Sequence, residues 1–280
     1  MDTPTPTILL VHAHPDDEAS TTGGTIARYA AEGVRVVLVT CTNGEYGNSV
    51  AGHAPDHEEH DVDQVVAHRM AELDRSCEIL GIDRLELLGY HDSGMMGWPQ
   101  NEAAGAFWNT PVAVAADRLA VLLDEEQPDV VITYDENGFY GHPDHIQANR
   151  ITLAAIEASS ISPKLYYPAI PQSAFAAMGE AMAAAGIEAP GSEEDGPGLE
   201  LGTPDEEIGA ILDVTSFTTQ KRAALAAHAS QTADSFFLTM PEELFAEFFG
   251  REAYVRVFDP TGQEGVEDDL LAGTGRGTLA

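Results

Sequence analysis

Basic residues are scarce in this 280-residue chain: 13 Lys and Arg stand against 47 Asp and Glu, a net charge of −34. Only Lys164 and Lys221 are lysines, so an arginine in a cleft stands out as a substrate contact. Nucleic acid and anionic membranes are held through basic surface, and neither is an expected partner. The acid excess serves solubility or tolerance of salt. Cysteine is nearly absent. Cys41 and Cys77 lie far apart, which excludes a disulfide framework and a C-x-x-C redox pair, and both read as small core residues. No apolar run reaches the roughly 18 residues of a membrane span. The start, MDTPTPTILLVHAH, lacks a basic region and a cleavage site, so no signal peptide is expected and the protein reads as cytoplasmic. Gly23 and Gly24 do not extend to G-x-G-x-x-G, which argues against a dinucleotide site. No serine has nucleophile-elbow context.

What is present is ample apolar material, 44% of residues, in a strand–helix alternation. Apolar runs at 7–14, 34–42, 84–90, 129–135 and 164–170 read as strands. Segments 16–33, 60–81, 111–127 and 143–159 read as helices, with Gly33 stopping the first and Pro143 suited to a first turn. The fold class is α/β, a doubly wound, mostly parallel, Rossmann-like sheet with helices on both faces and a smaller C-terminal lobe. Residues 1–170 form the expected core. Residues 171–260 form an extension of the same domain that shapes the cleft, with helices expected at 174–186, 218–231 and 241–250 and a strand at 211–217. Segment 187–207 reads as a mobile acidic loop, and 261–280 as a flexible tail. The oligomeric state is left open, a homo-oligomer included.

Ligands of a doubly wound sheet bind beyond the carboxyl ends of the strands. Three such ends are rich in charge: His12, His14, Asp16, Asp17 and Glu18 after the first strand, Glu45 after the second, and ENGFYGHPDH (136–145) after the fourth. HPDD (14–17) and HPDH (142–145) each set a histidine, a proline and an aspartate at a strand-to-helix turn. Proline stiffens the turn, as a metal site requires. Two imidazoles and one carboxylate with an open position make a common catalytic zinc set, and Fe(II) or Mn(II) also fit. The residues alone therefore read as a hydrolytic His/Asp/His metal site.

AHPDDE, followed about 130 residues later by YGHPDH, resembles the PIG-L/LmbE-type family of zinc-dependent N-deacetylases. VTCTNGEYG, HRMAEL before ILG, DSGM (92–95) and TYDENGFYGHPDH extend the resemblance over about residues 7–170, and KRAALAAHASQ more weakly beyond. It is most similar to the branch that deacetylates the GlcNAc-inositol precursor of mycothiol and cleaves mycothiol S-conjugates. The resemblance implies that His14, Asp17 and His145 bind the metal and that Asp16 is the general base. It implies that His142 carries charge or a proton, that Asp144 holds the His142 ring and tautomer, and that Tyr140 donates to the oxyanion. Whether His142 or Asp16 protonates the leaving amine stays open. Arg69, Asp92 and Glu45 are implied to contact substrate.

Plainer readings stand beside these. His12 reads as a core or supporting histidine, Glu18 as a helix cap, and the cluster His53, His57 and His60 as solvated loop. His228 reads as helix surface or packing, with a place lining the cleft as the alternative. The expected function is metal-dependent hydrolysis of the acetamide of an N-acetylated amino sugar or glycoconjugate. One alternative is a mycothiol S-conjugate amidase, a branch with a lysine soon after the first acidic motif, which EASTTGG lacks. An alternative of another class is a non-catalytic small-molecule-binding α/β protein.

Overall fold

Every residue of the strand Thr7–His12 (β1) is buried, as a strand covered on both faces must be. In the computed structural model, which describes residues 5–185, 202–232 and 235–275, β1 lies inside a seven-stranded sheet. The other strands are Arg35–Thr42 (β2), Arg84–Tyr90 (β3), Val130–Ile132 (β4), Lys164–Ala169 (β5), Ile208–Asp213 (β6) and Arg251–Phe258 (β7). Their order is β3-β2-β1-β4-β5-β7-β6. The first five are parallel; β7 runs antiparallel to both β5 and β6.

The longer helices are Asp17–Ala31 (α1), Val62–Leu80 (α2) and Val112–Glu126 (α3). A single turn, Gly138–Gly141 (α4), precedes Pro143–Ala158 (α5) and Gln172–Ala185 (α6). Thr218–Ala227 (α7), the turns Ala229–Thr232 (α8) and Phe236–Thr239 (α9), and Glu242–Phe249 (α10) follow. Alternate strand residues point to opposite faces. Ile8, Leu10, Val36 and Leu38 pack with Ile26, Leu73 and Leu225 of α1, α2 and α7. Leu9, Val11, Val37 and Val39 pack with Leu119 and Ile151 of α3 and α5. The expected doubly wound α/β class is what the chain forms. No helix among the described residues is long and apolar enough to cross a membrane.

Several local expectations change. The fourth strand, expected over 129–135, runs only over Val130–Ile132; Thr133 N still donates to Tyr166 O of β5 at 3.2 Å, and beyond it Tyr134 O turns to accept from Asn149 Nδ2. The strand expected at 211–217 runs Ile208–Asp213 and ends where Asp213 Oδ1 accepts the Thr215 amide at 3.0 Å. Strand β7 had no counterpart in the sequence reading; with β6 it continues the core sheet. Within the segment from 261 expected to be a flexible tail, Glu267, Leu270 and Leu271 are buried. Asp269 accepts from Tyr29, and Lys164 donates to Glu267 at 2.6 Å. A buried lysine needs a carboxylate, and the tail supplies it. Residues 276–280, and the acidic loop as far as residue 201, lie outside the described residues.

Both lysines are interior. Lys221 pairs with Glu252 at 2.6 Å, and the Glu252 carboxylate also accepts the amides of Gly24 and Thr25 at 2.9 and 2.8 Å. The Gly23–Gly24 pair thus admits a protein carboxylate and the side chain of Lys221. A Cβ on Gly24 would stand 2.5 Å from Val214 Cγ2 and 2.9 Å from Glu252 Oε1. Gly24→Ala is expected to lower unfolding stability by about 1–3 kcal/mol through overpacking, read as a lower urea midpoint at unchanged slope.

Candidate metal centre

The sheet order reverses between β1 and β4, which opens a crevice between the loops that follow them. The HPDD and HPDH turns are those two loops, and so residues 131 positions apart meet. At the second turn, His142 caps α5 with Pro143 in the first turn, and His142 Nδ1 accepts the Asp144 amide at 3.2 Å. Gly138 (φ 64°) lets α4 press on α5: a Cβ there would meet Ile146 N at 2.8 Å and His145 Cβ at 2.9 Å. At the first turn, Asp16 has φ 120°, a conformation costing about 1–3 kcal/mol for a residue with a side chain.

Asp17 sits at the centre. Its Oδ2 accepts from Tyr134 Oη at 2.7 Å and from the His14 amide at 2.8 Å, and lies 3.4 Å from His14 Nδ1. Its Oδ1 lies 3.6 Å from His145 Nε2. His14, His142 and His145 each offer a ring nitrogen within 4.8 Å of the others, and His14, Asp92, His142 and Asp144 form an overlapping group. His145 is 2% exposed and its Nε2 has no hydrogen-bond partner among the described residues; Asp144 Oδ1 is also without one. Buried polar atoms are normally paired, and an imidazole nitrogen left bare beside a carboxylate suits a cation. The donor set of imidazoles and carboxylates fits a divalent transition metal.

The electrostatics agree. Burial acts to lower the His14 pKa, but Asp92, Asp144 and Asp17 outweigh it and hold His14 well above the ordinary imidazole value. Such a site draws positive charge. Burial lowers His145 to about 4, and lowers His142 to about 3 with help from His14 and His145. Burial would raise Asp17, yet His145 and His14 keep it well below the carboxylate range. Asp16, its side chain 25% open, is pushed up to about 6, chiefly by poor solvation, with Arg69 opposing.

His14, Asp17, His145, His142, Asp144 and Asp92 all converge. Tyr140 borders them, 42% exposed, with its ring 6.0 Å from that of His142 and 5.1 Å from that of His145. The implied role of Asp144 divides in two: its amide fixes His142, while its carboxylate holds His14 Nε2 at 3.2 Å and accepts the Ser93 amide at 2.9 Å. Asp92 Oδ1 accepts the Gly94 amide and lies 3.8 Å from His14 Nε2.

Arg69 and Glu45, implied as substrate contacts, are committed to the protein. Arg69 is 4% exposed and donates to Gly44 O and Pro15 O at 2.6 Å each, and to Asp16 Oδ2 at 3.2 Å. It ties two loops together and grips Asp16. Glu45 Oε2 accepts from Asn43 and faces His91 Nδ1, both at 2.7 Å. His12 is buried against Thr22 and Tyr134. Glu18 does reach the helix start but is fully buried, and His228 is fully buried against it rather than on a helix surface. The loop cluster His53, His57 and Glu59 also groups as a cation site, but His53 is only half-buried and the other two are exposed. His57 Nδ1 there already accepts the Glu59 amide.

Tyr134 escaped the sequence reading. Its hydroxyl holds Asp17, accepts from the Ala13 amide at 2.9 Å, and its ring stacks on His145 at 4.1 Å. Its one signal was position: an aromatic with a hydroxyl just past a core strand, ahead of the HPDH turn.

A Rossmann-like sheet with a buried histidine–carboxylate group at its switch point defines an α/β protein whose side chains could hold a metal ion. The chain belongs to the PIG-L: GlcNAc-PI de-N-acetylase family, whose model matches residues 9–156. It is 44% identical over 276 residues to the 1D-myo-inositol 2-acetamido-2-deoxy-alpha-D-glucopyranoside deacetylase of Acidothermus cellulolyticus, covering 95% of this chain and 94% of that one. It is 40% identical over 290 residues to the protein of the same name from Geodermatophilus obscurus, covering 97% and 99%. Among solved structures, N,N'-diacetylchitobiose deacetylase from Pyrococcus horikoshii aligns with TM-score 0.58 at 20% identity, over 88% of this chain and 77% of that one. The 4-carboxy-2-hydroxymuconate hydratase of Pseudomonas putida aligns with TM-score 0.59 at 19% identity, over 93% and 100%. At such identities the structures share the fold alone.

Tyr134→Phe keeps the ring stacked on His145 but removes the hydroxyl from Asp17. Its affinity for zinc, titrated against a competing chelator, is expected to fall about 10–100-fold, and its unfolding stability by about 1–3 kcal/mol, because the buried Ala13 amide loses its acceptor.

Proposed function

We propose that this chain hydrolyses the acetamide of an N-acetylated amino sugar of the GlcNAc-inositol type, releasing acetate and the free amine, with zinc as its cofactor. The observation that carries this reading is the bare, buried His145 nitrogen beside Asp17 and His14, with a separately gripped carboxylate, Asp16, at the same turn. Identity to the inositol-sugar deacetylases along nearly the whole chain supports the substrate class.

His14, Asp17 and His145 would hold the cation, and Fe(II) or Mn(II) suit the same donors. When bound, the cation supplies Lewis acidity and lowers the pKa of water. Asp16 takes the proton of the attacking water; its pKa of about 6 suits a base working near neutrality. Arg69 keeps its carboxylate aimed. Tyr140, raised far above the usual phenol pKa by burial and by the acids around it, keeps its proton and donates to the carbonyl oxygen as charge develops. His142, with Nδ1 accepting the Asp144 amide, carries its proton on Nε2. Asp16, protonated in the first step, returns a proton to the leaving amine, while His142, lowered to about 3 and neutral, offers its Nε2–H as a hydrogen-bond donor. Asp92, buried and facing His14 from the loop after β3, would accept a sugar hydroxyl.

Assay of the purified protein with GlcNAc-inositol is expected to release acetate and primary amine in equal amounts, with loss on chelation and recovery with zinc. Absence of turnover with zinc restored counts against the reading. Asp16→Asn is expected to retain zinc and lose about 10²–10⁴-fold in kcat; wild-type turnover in this variant would remove Asp16 as the base. His145→Ala should lose both zinc and turnover. The base works deprotonated, so kcat/KM falls as pH drops through its pKa. A cation beside Asp16 favours the carboxylate, which sets that limb at or below about pH 6.

A further inference from the structure

Glu18 and His228 are both 0% exposed and have no part in the reaction above. They lie 210 residues apart, yet Glu18 Oε1 meets His228 Nε2 at 2.6 Å, and Ser76 of α2 donates to the same oxygen at 2.5 Å. The other oxygen, Oε2, accepts the backbone amide of Asp16 at 3.0 Å. That amide belongs to the residue with φ 120°, a conformation that persists only where its surroundings over-determine it. The Asp16 side chain is held independently by Arg69, at 3.2 Å.

We propose that Glu18 and His228 are positioning residues that lock Asp16 in its working conformation, making the C-terminal extension part of the apparatus that aims the base. His228 ends α7, beyond the segment that the family model matches. The chain of cause is short. A carboxylate without solvent needs a donor partner for its charge. His228 and Ser76 occupy Oε1 and orient the group, which leaves Oε2 directed at the Asp16 amide. With that amide held from one side and the carboxylate from the other, Asp16 cannot relax to an ordinary backbone conformation. A purely structural ion pair, one that only fastens α7 to α1, would leave Asp16 unchanged when broken.

The inference rests on Asp16 being the base, and its test separates the two. Crystal structures and kinetics on GlcNAc-inositol are compared for wild type, His228→Ala and His228→Gln, whose amide can still donate to Glu18. In the alanine variant Asp16 is expected to leave its positive φ, and kcat to fall about 100-fold, with KM and zinc content near wild type. The glutamine variant should recover most of the loss. An alanine variant with Asp16 unmoved, or with kcat near wild type, overturns the proposal, as does a glutamine variant no better than alanine. Glu18→Met, of similar length but with no oxygen for the Asp16 amide, carries the same expectation and decides the matter if the alanine variant does not fold. A wild type inactive on the sugar defeats the deacetylase reading, while the conformation of Asp16 in the variants still decides this one.

Discussion

Three acids in succession, Asp16, Asp17 and Glu18, follow a strand with no exposed residue. Two of them are buried and the third is mostly so. Carboxylates in such a place persist only with partners. Neighbours on a turn point in different directions, so each acid recruits a different part of the chain. Asp16 takes Arg69 from α2; Asp17 takes Tyr134 from beyond β4 and the histidines of both turns; Glu18 takes Ser76 and His228. Much of the architecture around the crevice answers that requirement.

The same requirement produces the chemistry. Acids crowded about His14 create a place where positive charge is favoured, and His145, with neither ring nitrogen hydrogen-bonded among the described residues, turns Nε2 toward Asp17 there. Asp16 and Asp17 are adjacent but differ in environment: Asp17 is pulled down by imidazoles, while Asp16 is pushed up by poor solvation. Environments that drive two neighbouring carboxyls apart in pKa would let one turn supply both a ligand and a base, as the proposed reading requires.

The fold does not choose the reaction. A hydratase and a deacetylase align with this chain equally well at similar identity, as expected where function lives in side chains set on a shared frame. Here the frame itself uses residues that look like substrate contacts. Arg69 donates from its terminal nitrogens to two backbone carbonyls and Asp16, and Glu45 Oε2 meets Asn43 and His91. Tyr140, still open to solvent, remains free to meet a ligand.

The sequence by itself determined the doubly wound sheet and the meeting of the two HPD turns. Apolar runs alternate with helical periods over short distances, and a parallel sheet must bring those strand ends to one edge. It also carried the metal-type donor set, because such residues are too costly to bury without a use. Only the tertiary structure decided which partner each donor takes. The pairing of β7 with β5, the contact of Lys164 with Glu267, the contact of His228 with Glu18 and the grip of Tyr134 on Asp17 all join residues more than 80 positions apart. Local patterning records the period and burial of a segment. It holds no record of which distant side chain will satisfy a buried charge, because that choice is made by packing.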